Sequence, residues 1–408
     1  MTCQDPDILM QDLPSRHPRL QLAVVTETWP PEVNGVALTL SRLVQSLCDR
    51  GHRVQLVRPR QLNSDEGTTD QGLEEKLMRG MPIPKYPQLK LGLPARRSLV
   101  RTWSYRRPDL VHIATEGPLG WSALQAARQL RLPVSSDFRT NFHSYSSHYG
   151  LGWLKKPIAA YLRRFHNQAG LTMAPTRAMA ADLINLGFER VRVVGRGIDT
   201  RLFHPARRDE GLRHRWGADP DSTVVLAVGR LAAEKNLDLV VSAYEAMQSR
   251  DPRTRLVLAG DGPMRAALVR RCPQAIFMGQ CSHDVLAACY ASADLLLFPS
   301  LTETFGNVTL EAMASGLPVL AFDVAAAVEW IAHGRSGWLV RAGDGEAYRA
   351  QAMTLAANAQ ALRTAGNCAR VQVSGNDWQQ VAGQVEGLWS DLLDRHLKQM
   401  PERPIPAF

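Results

Sequence analysis

No stretch of about 18 consecutive uncharged apolar residues occurs in the 408-residue chain, so no helix is expected to cross a bilayer. Cysteine is sparse and irregular. Cys3, Cys48, Cys272, Cys281, Cys289 and Cys368 form no C-x-x-C pair and no regular framework. Reduced, mostly buried thiols are therefore expected, rather than zinc ligands or disulfides. No segment repeats at a period of about 20–50 residues, which argues against a solenoid or propeller. The start, Met1-Thr-Cys-Gln-Asp-Pro-Asp, is acidic and lacks the basic-then-apolar pattern of a signal peptide. The expectation is a cytoplasmic protein, soluble or held peripherally at the inner face of the cytoplasmic membrane. Acidic residues are in deficit: 39 Asp+Glu stand against 48 Lys+Arg, a formal net charge of +9. That excess suits nucleic acid, an anionic membrane surface or a phosphorylated small molecule.

What is present is a globular composition, with 45% hydrophobic and 21% charged residues, which excludes a disordered chain. Short apolar runs alternate with amphipathic stretches. Residues 20–26, 53–57, 110–113 and 134–135 read as strands, and 36–47 as a helix with Val36, Leu40, Leu43, Val44 and Leu47 on one face. The pattern restarts with strands at 224–228, 255–259, 276–278, 295–298 and 319–321. Helices are expected at 237–247, 263–271, 284–292 and 308–314, and a last amphipathic stretch at 378–397. Residues 60–80 are polar and read as a loop. The division falls near 195–222, which sets domains at 1–200 and 201–377, with 378–408 a helix and tail returning to the first domain. Alternating strands and helices predict an α/β fold of two doubly wound, Rossmann-like domains. Ligands of such domains sit beyond the carboxyl ends of strands, and the cleft between the two is the expected site.

The most informative segment is Leu301-Thr-Glu-Thr-Phe-Gly-Asn-Val-Thr-Leu-Glu-Ala-Met-Ala-Ser-Gly-Leu-Pro-Val, which follows a strand. A helix beginning near Gly306-Asn307 leaves Glu303 in the preceding loop and puts Glu311 in the second turn. Free N–H groups at the helix start favour an anion such as phosphate, and the carboxylates suit sugar hydroxyls. The blander alternative makes Glu303 a cap and Glu311 a solvated side chain. Gly229-Arg-Leu-Ala-Ala-Glu-Lys-Asn-Leu also follows a strand, and its Arg230 and Lys235 suit a diphosphate. The alternative is a basic loop paired with Glu234. Ala259-Gly-Asp-Gly-Pro is a third tight turn. Arg265 stands where a dinucleotide fingerprint needs a third small residue, which disfavours a dehydrogenase. In the first unit, Trp29-Pro-Pro-Glu-Val-Asn-Gly-Val lies between a strand and its helix. It either brings backbone near a substrate or simply turns the chain.

Together these strings resemble the retaining family-4 glycosyltransferases, which have the GT-B fold. The matching strings are Pro-Glu-Val-Asn-Gly-Val at 31–36, Gly-Arg-Leu-Ala-Ala-Glu-Lys-Asn at 229–236 and Gly-Asp-Gly-Pro at 260–263. Tyr290-Ala-Ser-Ala-Asp-Leu-Leu-Leu-Phe-Pro-Ser and Glu303-Thr-Phe-Gly-Asn-Val-Thr-Leu-Glu complete the set. The resemblance covers most of residues 20–395 and is nearest to bacterial GDP-mannose-dependent α-mannosyltransferases and glycolipid-forming glycosyltransferases. It implies transfer of a hexosyl group from a nucleotide sugar, GDP-mannose favoured over a UDP-sugar, to a hydroxyl of a membrane lipid or lipid-linked glycan. By this resemblance Arg230 and Lys235 hold the diphosphate, Glu303 and the amides near Phe305, Gly306 and Asn307 meet the sugar, and Glu311 binds the ribose. Gly229, Gly260, Gly262 and the Gly279-Gln280-Cys281 loop border the nucleotide, and Asn34 and Gly35 face the acceptor. Neither metal nor other cofactor is implied; Asp-Pro-Asp at 5–7 and 219–221 follows no strand and reads as no metal motif.

One departure stands out. Related enzymes often carry a histidine in Tyr-His-Thr-Asn-Phe; here the string is Asp137-Phe-Arg-Thr-Asn-Phe-His. Arg139 takes the histidine's place beside Asn141, and His143 is either an acceptor-side catalytic group or a structural histidine. Arg139 also suits an acidic sugar or acceptor. Same-fold alternatives are a nucleotide-sugar 2-epimerase, which needs no acceptor, and a non-catalytic nucleotide-sugar-binding protein. The remaining positive charge concentrates at residues 85–107 and 153–166, interleaved with Tyr86, Trp103, Tyr105, Trp153, Tyr161 and Phe165. Such segments suit an anionic lipid surface or, more plainly, solvated helices. No nucleic-acid-binding motif is present, so nucleic acid is not an expected partner.

Overall fold

A computed structural model describes residues 19–32, 35–61, 64–83, 86–139, 155–356 and 358–399. The chain forms two compact units, Met1–Ser136 with Val385–Phe408, and Asp137–Gln384. Residues 195–222 lie within the second of these.

The first unit begins with β1 (Gln21–Val25), α1 (Gly35–Asp49), β2 (Arg53–Pro59), β3 (Thr69–Asp70), β4 (Leu73–Met78), β5 (Gly80–Ile83) and β6 (Tyr86–Gly92). It continues with α2 (Arg96–Tyr105), β7 (Leu110–Ile113), α3 (Pro118–Gln129) and β8 (Val134–Asp137). The strands neighbour one another in the order β8-β7-β1-β2-β4-β3. All these pairs are parallel except β3 with β4. The β1, β7 and β8 strands are apolar or small because helices cover them; Leu22, Val24, Leu110, Val111 and Ile113 are almost wholly buried.

The polar stretch 60–80 is not simply a loop, as its composition suggests, but carries β3, β4 and the start of β5. Its charges are paired rather than solvated. Arg58 of β2 bonds Asp65 (2.6 Å) and Glu75 of β4 (2.9 Å), and all three side chains are largely buried. Ion pairing supports strands here that apolar alternation does not announce.

The second unit continues with α4 (Lys155–His166), β9 (Leu171–Ala174), α5 (Arg177–Asn185), β10 (Val191–Val193), α6 (Glu210–Arg215), β11 (Val224–Val228) and α7 (Leu237–Arg250). Then come β12 (Arg255–Ala259), α8 (Arg265–Arg271), β13 (Ile276–Gly279), α9 (His283–Ser292), β14 (Leu295–Phe298) and α10 (Asn307–Ala314). β15 (Val319–Phe322), α11 (Ala325–Trp330), β16 (Gly337–Val340), α12 (Gly345–Ala356), α13 (Ala359–Val373) and α14 (Trp378–Gln399) complete it, α14 running on into the first unit's residues. Strands β11 to β16 form a six-stranded parallel sheet in the order β13-β12-β11-β14-β15-β16. Side chains alternate between its faces: Val224 and Leu226 enter one core cluster, Val225 and Ala227 the other. Both faces are therefore buried, which is why β11 reads as an unbroken apolar run. The strand order reverses between β11 and β14, opening a crevice at their carboxyl ends where ligands of such sheets bind.

Helix α14 is anchored in the first unit by its later turns. Val385, Trp389 and Leu392 are buried, and Trp389 donates its indole N–H to Ser135 Oγ at 2.9 Å. Glu386 accepts from Arg50 (2.6 Å) and from His52 Nε2 (2.7 Å). Because His52 Nδ1 accepts the N–H of Leu20 at 3.0 Å, its proton sits on Nε2.

The surfaces expected from charge also sharpen. In α2, Leu99 and Trp103 are buried, while Tyr105 is 96% exposed. In α4, Leu162 and Phe165 are core and Tyr161 faces solvent. Trp103 and Phe165 therefore do not belong to an exposed aromatic face, since each fills the core beneath its own helix. Trp153 lies outside the described residues.

Candidate active site

The crevice at the β11/β14 reversal collects most of the residues singled out in the second unit. After β14 the chain loops through Leu301–Phe305 and turns at Gly306, whose φ of +89° favours glycine, into α10. Glu303 stands in that loop and its side chain is 12% exposed. After β11 the chain makes a single tight turn at Ala233–Lys235 before α7. Lys235 reaches from that turn to Glu303 and ion-pairs with it. Its ammonium also lies 5.7 Å from the Phe298 ring centroid. Asn236 Nδ2 donates to the Pro299 carbonyl (3.3 Å), and Ser300 Oγ to that of Glu234 (3.4 Å). The loops on the two sides of the reversal are thus tied together. Arg230 is 63% exposed and donates to Glu234 Oε1 at 2.6 Å. The pairing of the blander alternative is present, with most of the guanidinium still facing solvent.

The glycine turns stack on this frame. A Cβ on Gly260 would fall 1.9 Å from the Gly229 carbonyl oxygen, so only glycine permits the close approach. Leu231 N–H donates to Asp261 O (2.9 Å), Met264 N–H to Leu231 O (2.9 Å), and Gly260 N–H to Gly279 O (2.8 Å). The turns after β11, β12 and β13 form one bonded rim that includes Gly229, Gly260 and Gly262. Gln280 is exposed just beyond it, and Cys281 is half-buried.

Glu311 lies one turn into α10 and is 9% exposed, so it is not a solvated helical glutamate. Its Oε2 accepts the Tyr290 hydroxyl at 2.8 Å. Burial pushes its pKa up to about 7, tempered by that hydrogen bond. Phe305 is buried, and its carbonyl accepts from Ala326 N–H at 2.8 Å. Asn307, the first residue of α10, accepts at Oδ1 from Arg196 Nη1 (3.1 Å).

Sequence reasoning does not single out Arg196. It follows β10 in Val194-Gly195-Arg196-Gly197, within the stretch read as a divide. A cation just beyond a strand's carboxyl end is the available signal. Tyr290 is one member of a matching string in the sequence; its role emerges from its contact with Glu311.

Arg139 donates from Nε to Asp137 Oδ2 at 2.8 Å, and a second bond from Nη2 reaches the same oxygen. Asn34, Asn141 and His143 lie outside the described residues. Gly35 opens α1 in the first unit, where its carbonyl accepts from Thr39 Oγ1 at 2.6 Å. The loop before it is braced by Gln61, which donates to Glu32 Oε1 at 2.7 Å. Nearby, Glu27 is buried and accepts Leu119 N–H at 2.9 Å; burial raises its pKa to about 7. The described cysteines are all free thiols. No group of three His, Cys, Asp or Glu with metal-binding geometry occurs among the described residues.

The chain's relatives share this architecture. Sucrose-phosphate synthase of Thermosynechococcus elongatus superposes with a TM-score of 0.74 at 20% identity, covering 92% of this chain and all of that one. The fold is GT-B. Residues 33–202 match the model described as Glycosyltransferase Family 4, and residues 222–358 that described as Glycosyl transferases group 1. A GDP-mannose-dependent alpha-mannosyltransferase of Mycolicibacterium smegmatis is 33% identical over 382 residues, 92% of this chain and 98% of the relative. One from Mycobacterium tuberculosis is 34% identical over 329 residues, 80% of this chain and 85% of the relative.

The chain belongs to the family-4 glycosyltransferases. It is a retaining hexosyltransferase.

Proposed function

We propose that the enzyme transfers mannose from GDP-mannose, with retention, to a hydroxyl of a membrane lipid or lipid-linked glycan. The observation that carries this reading is the pairing of Lys235 with Glu303 at the start of α10, with Glu311 buried one turn further along. Lys235 and the exposed guanidinium of Arg230 take the diphosphate, whose charge grows as the nucleotide departs. Glu303, freed or shared by Lys235, accepts from hydroxyls of the sugar. Glu311 offers its second oxygen to the ribose. Two side-chain cations and a helix N-terminus balance the leaving group, so the reaction proceeds without a metal. The relatives named for GDP-mannose support guanosine as the base.

The acceptor reading draws on charge placement. Arg97, Arg101 and Tyr105 recur every fourth residue on the exposed face of α2, and no acidic residue occurs in that helix. A cationic stripe ending in an exposed tyrosine suits an anionic bilayer surface and a peripheral protein. An alpha-monoglucosyldiacylglycerol synthase of Streptococcus pneumoniae, 26% identical over 322 residues, acts on lipid by its name and supports the same class of acceptor.

A thermal-shift panel of GDP-, UDP- and ADP-sugars, followed by product analysis with and without lipid vesicles, tests the reading. GDP-mannose is expected to give the largest shift, and an α-mannosylated lipid to form only when vesicles are present. A dominant shift with UDP- or ADP-sugars overturns the donor. A modified sugar released without acceptor indicates the epimerase instead. EDTA is expected to leave the rate unchanged.

A further inference from the structure

Arg196 is held in place from several directions. Its carbonyl accepts from Asn376 Nδ2 at 2.7 Å, and Asn376 O accepts from Ile198 N–H at 2.9 Å. The next residue, Gly197, packs so closely on Trp378 that a Cβ would fall 2.7 Å from its backbone. The side chain then runs to the start of α10. Its guanidinium carbon lies 5.2 Å from the Phe305 ring centroid, and Nη1 meets Asn307 Oδ1. The residue is 8% exposed.

A guanidinium this deeply buried normally meets a carboxylate. Here its single hydrogen bond among the described residues goes to a neutral amide. The carboxylates whose charge reaches it are Asp137 and Glu303. Asp137 is engaged by Arg139, and Glu303 by Lys235. Among the described residues, these two ion pairs and Arg196 set three cations, Arg139, Arg196 and Lys235, against two carboxylates, Asp137 and Glu303, while Glu234 is taken by Arg230. Burial, and then repulsion from Arg139, holds the Arg196 pKa down at about 9. An incoming anion relieves both.

We propose that Arg196 is a third donor-binding cation, contacting a non-bridging oxygen of the sugar-bearing phosphate and stabilising it as it leaves. The inference rests on the donor-site reading above and extends it by a residue from a different loop. In the transfer, the bond from the anomeric carbon to the phosphate oxygen breaks and its electron pair stays on that oxygen. The acceptor hydroxyl oxygen bonds to the anomeric carbon from the same face, and its proton passes to the departing phosphate. Arg196 acts on the oxygens that gain charge, from the Asn307 end of the helix start, while Lys235 acts from the β11 turn.

The test compares Arg196→Gln, Arg196→Lys and Lys235→Ala with the parent in kcat, donor KM, binding of guanosine diphosphate by calorimetry, and melting temperature. Losing a transition-state donor of this kind lowers kcat by about 100-fold in Arg196→Gln, with a smaller change in donor KM. Guanosine diphosphate should bind about tenfold more weakly, a loss of roughly 1.4 kcal/mol. Arg196→Lys keeps the charge and is expected to recover about tenfold of the lost kcat, short of full activity because the ammonium lacks the planar fork. It also covers the case in which the glutamine variant fails to fold. Parent kcat and nucleotide affinity in folded Arg196→Gln overturn the proposal. So does an Arg196→Lys variant that loses activity only in step with its melting temperature. If Lys235→Ala is also fully active, the donor-site reading has failed; if it alone is inactive, only the role of Arg196 has.

Discussion

Glu27 of the first unit and Glu311 of the other are alike in burial and acidity. Each is 9% exposed, and each is raised to about 7 chiefly by burial. Their surroundings differ. Glu27 accepts Leu119 N–H at the start of α3, with Gly120 and Gly92 also acting on it, and a Cβ on Gly117 would fall 2.1 Å from its Oε2. Its acceptor capacity is used by backbone N–H groups. Among the described residues Glu311 has a single hydrogen-bond partner, the Tyr290 hydroxyl. A perturbed carboxyl is therefore not enough to mark a ligand site; unspent acceptor capacity is the better sign.

The largest expected effect concerns a third carboxylate, Glu303, which differs from both in having a cation partner. Lys235→Ala is expected to lower turnover on the order of 100- to 1000-fold while the protein still melts cooperatively. Near-normal transfer by that folded variant would remove the second unit's claim to the donor. Next, the two buried glutamates should separate cleanly. Glu27→Ala is expected to destabilise the fold by about 1–3 kcal/mol, because the N–H groups at the start of α3 lose their acceptor. Its affinity for guanosine diphosphate should not change. Glu311→Ala should instead weaken that affinity about tenfold, or roughly 1.4 kcal/mol, with little loss of stability. Denaturant melts and calorimetry on the same two proteins decide it; weaker nucleotide binding in Glu27→Ala would break the distinction.

A smaller effect follows from pH. An acid whose folded pKa is raised stabilises the fold fully below its unfolded value, near 4.5, and that contribution is lost as pH rises through about 7. Both Glu27→Gln and Glu311→Gln should flatten this decline in melts between pH 4.5 and 8. Nucleotide binding runs the other way. It should strengthen as pH rises through about 7, since ionised Glu311 is the better acceptor for ribose hydroxyls, and only Glu311→Gln should abolish the trend. The smallest effect is expected from Tyr290→Phe, at about 0.5–1.5 kcal/mol of nucleotide affinity. Its hydrogen bond lowers the Glu311 pKa, so its loss should move the binding midpoint to higher pH.

The strands buried on both faces, such as Val224–Val228 and Leu295–Phe298, are legible because parallel sheets write themselves as apolar runs. The same reasoning passes over Leu171–Ala174 and Gly337–Val340, four-residue strands containing Thr172 or opening on glycine. It also passes over Leu73–Met78, whose charges find partners only in three dimensions. The loops proposed to hold the donor are readable because Gly229, Gly260 and Gly306 stand at turns that only glycine makes easily. The ties between loops are not: Lys235 with Glu303 and Arg196 with Asn307 span 68 and 111 positions. Nothing local marks which partner a charged side chain will choose at such separations. Arg196 is hidden for a further reason, since a stretch rich in glycine and arginine reads as a linker until its burial is known.

The return of α14 bears on how the chain folds as it is made. Val385, Glu386, Trp389 and Leu392 complete the core around Ser135, Arg50 and His52, yet they are synthesised after the second unit. The whole second unit, Asp137–Gln384, precedes them in the sequence. Synthesis therefore inverts the usual order in which the N-terminal part folds first. The core of the first unit is completed only once α14 has been made and Trp389 can reach Ser135. A truncation that removes only the later turns of α14 should thus strike hardest at the first unit rather than the second.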